Sequence, residues 1–304
     1  MSFSRRRSFA GVGLGGPATS VTRIKCKSAG GGACLRARVG VRYNGDRSKG
    51  TAVVKCGLCQ RDVPKLAKSH VIAKAIATHG RPKGSREPLV ILSSDKGHRV
   101  VRSQTGIYSK IVCAKCEAGF QTADDALIEL CRSLGQGVPI QHDGTRFLAV
   151  EYPNADIGAV HRGVLTTLLR AHLSPHPSFQ HVVLDPVLEQ RIRELLLSDA
   201  STLSSEFAVV LRVVLSEQGL ASMSPFRTSM GGVEVIQLYF PNLTAYVKLD
   251  DHVDEVFQGA AIGALPHLHA VLKEQLSVSE MDFFRHVTEG RDSDIARFSP
   301  KPRD

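Results

Sequence analysis

Two Cys-x-x-C pairs constrain this chain more than any other feature. Cys56-Gly-Leu-Cys59 and Cys113-Ala-Lys-Cys116 lie at either end of a domain-sized interval. Each pair forms a tight knuckle that aims two thiolates at one point, so two pairs supply the four soft ligands of a closed tetrahedral zinc site. A structural zinc held by Cys56, Cys59, Cys113 and Cys116 is therefore expected. Of the seven cysteines, this leaves Cys26, Cys34 and Cys131 outside any motif. Such usage suits a reducing compartment, the cytoplasm, and not a secreted disulfide scaffold.

Charge is spread unevenly. Residues 1–55 carry 12 Lys/Arg against one acid, residues 56–132 carry 13 against 7, and residues 133–304 carry 14 against 21. A basic amino-terminal half beside an acidic remainder points to contact with a polyanion, and nucleic acid is the expected partner. No apolar run approaches the ~20 residues that span a bilayer, so no membrane segment is expected.

Four regions follow from the same reading. Residues 1–55 combine Arg5-Arg6-Arg7 with two glycine-rich stretches and have no sustained apolar period, as in a disordered basic arm. The glycines also break the amphipathic helix that a transit peptide needs. Residues 56–134 form the zinc module. Within it Lys65 to Ile72 reads as a short strand and Ala73 to Thr78 as a helical turn. Pro88 to Leu92 and Arg99 to Arg102 read as paired strands, and Thr122 is placed to cap a helix reaching about Leu134. This order of knuckle, strand, knuckle and helix is that of a treble clef (ββα-metal-like).

Gly135 to Gly144 reads as a linker into a mixed helix and strand domain over 145–290, so the fold class is α+β. Helices are expected at Ile157 to His172, from Asp185-Pro186 to Ser198, at Leu265 to Leu276 and at Ser279 to His286. Strands are expected at Phe207 to Val214, Val233 to Phe240 and Leu243 to Leu249. Residues 291–304 read as a disordered tail.

The residues between and after the knuckles carry a resemblance. Ser69-His70-Val71-Ile72-Ala73-Lys74, followed by Cys113-Ala-Lys-Cys116-Glu117 and by Asp124, resembles the HNH endonuclease superfamily. Within it, the likeness is to an uncharacterised bacterial group with a Ser-His-Ile-Ile-Pro-Lys type core. Looser likeness extends through Arg170 to about residue 250.

The resemblance implies a metal-dependent endonuclease that hydrolyses a phosphodiester of DNA or RNA. It makes His70 the general base and Asp124 a ligand of a catalytic Mg²⁺ or Mn²⁺, while the four cysteines stay structural. A near-neutral imidazole suits proton abstraction, and a hard carboxylate suits Mg²⁺. Ser69 stands where active members place a further ligand before the base. No Asn lies between His70 and Cys113, and Ala73 replaces the usual Pro. These departures favour the alternative, a catalytically inactive zinc-stabilised protein that binds nucleic acid or another partner.

Overall fold

The computed structural model describes residues 53–79, 89–91, 101–103, 105–141, 148–198, 207–214, 224–230, 232–250 and 254–273. All fall within one compact unit, Thr51–Asp304. Of the arm expected over 1–55, residues 1–52 lie outside the described residues, while Val54–Lys55 is a strand and not part of a disordered arm. The helix expected at Ser279 to His286 and the tail also lie outside the described residues.

The first part is built of short antiparallel ladders. Strands β1 (Val54–Lys55) and β2 (Asp62–Val63) enclose the first knuckle, and β3 (Lys68–His70) is followed by a short helix α1 (Lys74–Ala77). β4 (Leu89–Ile91) pairs with β5 (Val101–Ser103), as the apolar runs predict, and β6 (Tyr108–Lys110) pairs back on β3. Helix α2 (Ala114–Gly119) begins directly after Cys113, and α3 (Gln121–Ser133) follows.

Thr122 does not cap α3. The chain is already helical through α2, so the Asp124 amide finds Phe120 O at 2.9 Å and no orphan donor is left for a hydroxyl.

The expected linker is a correction. Leu134–Gln136 is a 3₁₀ turn and Val138–Gln141 is strand β7, paired with β8 (Leu148–Tyr152). Gly137 reads as a flexibility signal but serves close packing, since a Cβ there would lie 2.0 Å from Val150 Cγ1. Pro139 is tolerated because β7 is a sheet edge.

Helix α4 (Ile157–Leu173), capped by Asp156, is buried over most of its length and packs on α3 and on α5 (Pro186–Leu197). Gly163 permits the α3–α4 approach, because a Cβ would come within 2.6 Å of Ala123 O. Asp185 accepts from the Val187 and Leu188 amides with Pro186 at the first helical position, so α5 starts where its sequence signals it.

The remainder is a seven-stranded sheet, completed by β9 (Val209–Val214), β10 (Phe226–Met230), β11 (Val233–Phe240), β12 (Leu243–Lys248) and, after α6 (Glu255–Ala260), β13 (Leu268–Lys273). Its order is β10-β11-β12-β9-β13-β8-β7, antiparallel except between β9 and β13. The β11–β12 hairpin turns at Pro241-Asn242, with Asn242 at φ 58°.

β13 is the second correction, since Leu265 to Leu276 is expected to be helical. β13 is paired along both edges, with β8 and β9, and the consecutive residues Leu268, His269 and Ala270 are all buried, so both of its faces are covered. A strand covered on both faces does not alternate, so its apolar spacing imitates a helix. One hydrophobic cluster runs from Cys56 through α3 and α4 to Ala270, which joins the knuckles to the sheet.

Candidate metal centre and the histidine site beside it

The knuckle geometry follows from local hydrogen bonding. The Cys56 amide donates to Arg61 O at 2.9 Å and the Gln60 amide to Cys56 O at 3.0 Å. Gln60 takes a left-handed φ of 57° and closes the turn by donating its side-chain amide to Gly57 O at 3.0 Å. Gly57 lies against the second knuckle. Its amide donates to Ile111 O at 2.8 Å, and any Cβ would meet that oxygen at 2.6 Å. The second knuckle opens α2, and the Cys113 amide donates to Cys56 Sγ at 3.2 Å.

The four sulfurs of Cys56, Cys59, Cys113 and Cys116 all lie within 4.8 Å of one another. Thiolates around one zinc at about 2.3 Å are ~3.8 Å apart, so this group needs only a small contraction to close on an ion. Burial pushes Cys56 up, but amides of Cys113, Cys59 and Leu58 outweigh it and bring the thiol down to about 7. Burial and the neighbouring sulfurs push Cys116 up instead. A bound cation supplies the charge that lets all four ionise together.

His70 ends β3, half-buried, with the Tyr108 ring edge-on at 6.0 Å. The Lys68 ammonium lies over that same ring, 4.1 Å from its centroid. Burial lowers the His70 pKa below its ordinary value. Glu117 pulls it back up, while Arg170, Lys74 and Lys68 press it down. The imidazole is thus neutral at physiological pH.

Ser69 is fully buried with its hydroxyl unpartnered, opposite Ser109 across the β3–β6 ladder. Ser109 in turn shares a 2.7 Å hydrogen bond with Ser174 at the end of α4.

Asp124 does not stand alone. Arg170, with its side chain 1% exposed, donates from Nη1 to both Asp124 oxygens at 2.8 and 2.9 Å and from Nη2 to Glu117 Oε1 at 3.3 Å. Its guanidinium also stacks on Phe120 at 4.6 Å. Burial raises the Asp124 pKa, against the pull of Arg170. Glu117 Oε2 and Arg170 Nε are buried without a partner.

Arg170 and Glu117 are the residues of this site that sequence reading left without a role. Their signal was an arginine inside the apolar stripe of Leu165, Leu168, Leu169 and Ala171. Among the described residues, the four cysteines are the only group of three or more His, Cys, Asp or Glu side chains close enough to share an ion.

The other candidates resolve into structural roles. Cys131 is a core residue whose thiol burial raises to about 12. His161 donates to Phe207 O at 2.7 Å, and His172 faces Glu189 at 3.4 Å. Cys26, Cys34 and His98 lie outside the described residues.

Arg61, Lys65, Lys68, Lys74, Lys110 and Lys115 are all exposed around the knuckles and β3. Arg61 and Lys115 also border a cavity of about 550 Å³ floored by Leu58, Phe120 and Leu196. No helix among the described residues is long and apolar enough to cross a membrane. Compared with known protein families, curated proteins and solved structures, the chain matches none.

Proposed function

We propose that this chain is a zinc-stabilised, HNH-like endonuclease that cleaves a phosphodiester in DNA or RNA. The zinc closes a treble-clef module through Cys56, Cys59, Cys113 and Cys116, and His70 is the general base. The observation that carries the reading is the state and setting of His70. It is a neutral, half-buried imidazole at a strand end, with a carboxylate in electrostatic reach and exposed lysines on either side. Neutral imidazole accepts a proton from water, and the lysines hold the phosphate backbone nearby. A divalent ion, when bound, would offset charge on the phosphate and the departing oxygen.

The test uses zinc-loaded full-length protein with DNA and RNA substrates in Mg²⁺ or Mn²⁺. Wild type is expected to cleave, and His70→Ala to bind equally well without cleaving. Equal cleavage by His70→Ala would remove the base assignment.

A second reading, a nucleic-acid-binding module without catalysis, is favoured by the hold of Arg170 on both Asp124 oxygens and by Ser69 in place of a ligand. Absence of cleavage by wild type and by Ser69→Asp alike would select it.

A further inference from the structure

The ladder that ends on His70 has two unlike faces. β3 and β6 pair Lys68 with Lys110, Ser69 with Ser109 and His70 with Tyr108. Side chains alternate across a strand, so the two serines share one face. Both are buried, and Ser109 meets Ser174 at the end of α4. Lys68, His70, Tyr108 and Lys110 share the other face, where the lysines and the tyrosine are exposed and His70 is half-buried.

Tyr108 stands apart from the rest of the surface. It is 46% exposed, and every other exposed large apolar side chain among the described residues is a valine or a leucine. Its ring has a fixed setting. His70 meets it edge-on at 6.0 Å, and the Lys68 ammonium lies over it at 4.1 Å. The ammonium touches a π-face without enclosing it, and an exposed contact of this kind is weak enough to be exchanged. None of the six paired residues is an acid, and exposed Lys74 follows in α1.

A cationic strip that carries one exposed aromatic suits unpaired nucleic acid, because cations follow the phosphates while the ring stacks on a base. A duplex offers the same phosphates, but its bases are already stacked on one another, and the ring gains nothing there. We propose that Tyr108 is the stacking platform for an unpaired base of DNA or RNA, with Lys68 and Lys110 on the flanking phosphates. As the base takes the ring, the Lys68 ammonium passes to a phosphate. The inference rests on the nucleic-acid reading above and names the strand state of the partner. It also brings the backbone of the stacked nucleotide next to His70, the cross-strand partner of Tyr108.

The experiment measures Kd by fluorescence anisotropy, with zinc-loaded full-length protein and no added Mg²⁺ or Mn²⁺. The labelled ligands are oligothymidylate, oligouridylate, an abasic deoxyribose strand and a duplex, all of one length. Wild type should bind the base-bearing single strands roughly tenfold more tightly than the abasic one, within the range that one stacked base is worth. Tyr108→Ala should lose that preference while its affinity for the abasic strand and the duplex stays unchanged. Tyr108→Phe should keep it, since the ring and not the hydroxyl stacks. The chain has no tryptophan, so Tyr108→Trp carries a single reporter. Its emission should be quenched by the base-bearing single strands and not by the abasic strand. Zinc content and the amide spectrum check that each variant is folded, and if Tyr108→Ala is not, the tryptophan emission decides.

Wild type that binds base-bearing and abasic strands equally, or binds neither, would overturn the proposal. So would a folded Tyr108→Ala that weakens for all ligands alike, because the ring would then serve only the ladder. A preference seen with only one of oligothymidylate and oligouridylate keeps the platform and identifies the sugar it accepts. Cleavage assayed on the same proteins with Mg²⁺ or Mn²⁺ separates the two claims. Base-dependent binding in a protein that cuts nothing keeps the platform and removes the nuclease reading. Cleavage without base-dependent binding does the reverse.

Discussion

At the residue scale, Arg170 is the side chain on which most depends. It is a full charge within an apolar helix face, matched by Asp124 and Glu117 and stacked on Phe120. Taking away the cation alone strands two acids in a region with little water. Arg170→Met should therefore cost about 3–5 kcal/mol, read by urea unfolding. Arg170→Lys should recover only part, because an ammonium cannot reproduce the fork. Combining Arg170→Met with Asp124→Asn and Glu117→Gln should recover more than the lysine does. A loss under about 0.5 kcal/mol, the range of an ordinary surface change, would show that the clamp bears little of the fold.

At the element scale, α4 ties the helical layer to the sheet, and His161 is one of its ties. Burial holds the His161 pKa below the ordinary value, against the raising effect of Phe207 O and with Arg162 adding to the depression. The unfolded chain thus takes the proton more readily than the folded one. The contribution is complete above the unfolded value of about 6.5 and is lost as pH falls through the lower, folded value. Wild-type stability should fall below about pH 6.5, by up to about 1.4 kcal/mol per pH unit for this proton. His70, also depressed, acts in the same direction. The check is the difference between wild type and His161→Gln, measured by urea unfolding from pH 7 to 5. Parallel profiles would remove His161 as a cause.

The elements also show how much the sequence disclosed. The knuckles were legible because Cys-x-x-Cys is a local signal, and α5 because Asp185-Pro186 caps and starts a helix within three residues. α4 was legible from its apolar period. β7 and β13 were misread because their evidence is nonlocal. Gly137 looks flexible until Val150 lies against it, and Leu268 to Ala270 look helical until the strand is paired on both edges and buried on both faces. At the site, His70 and Asp124 stood out as residue types in a pattern. Nothing local paired Arg170 with Asp124, 46 positions away, or left Glu117 with a free oxygen.

At the scale of the whole molecule, two properties follow from charge and from the shared core. Residues 1–132 carry 25 Lys/Arg against 8 acids, so nucleic-acid affinity should fall steeply with salt as counterions are released. Deleting residues 1–50 should weaken binding and flatten the plot of log affinity against log salt. Affinity that ignores salt would count against a phosphate-backbone partner.

The core cluster that contains Cys56 and Cys113 also contains Leu165, Leu211 and Ala270. Losing the metal should therefore loosen more than the knuckles. A structural zinc contributes on the order of 10 kcal/mol or more of binding free energy, and held by these four cysteines it would feed a continuous core. The most direct measurement is native mass spectrometry of the purified full-length chain, wild type and Cys113→Ser, paired with thermal unfolding of the same samples. One zinc per wild-type chain is predicted, lost in Cys113→Ser together with a lowered transition that covers both knuckles and sheet. Wild type that carries no zinc and unfolds at the same temperature as Cys113→Ser would contradict the account.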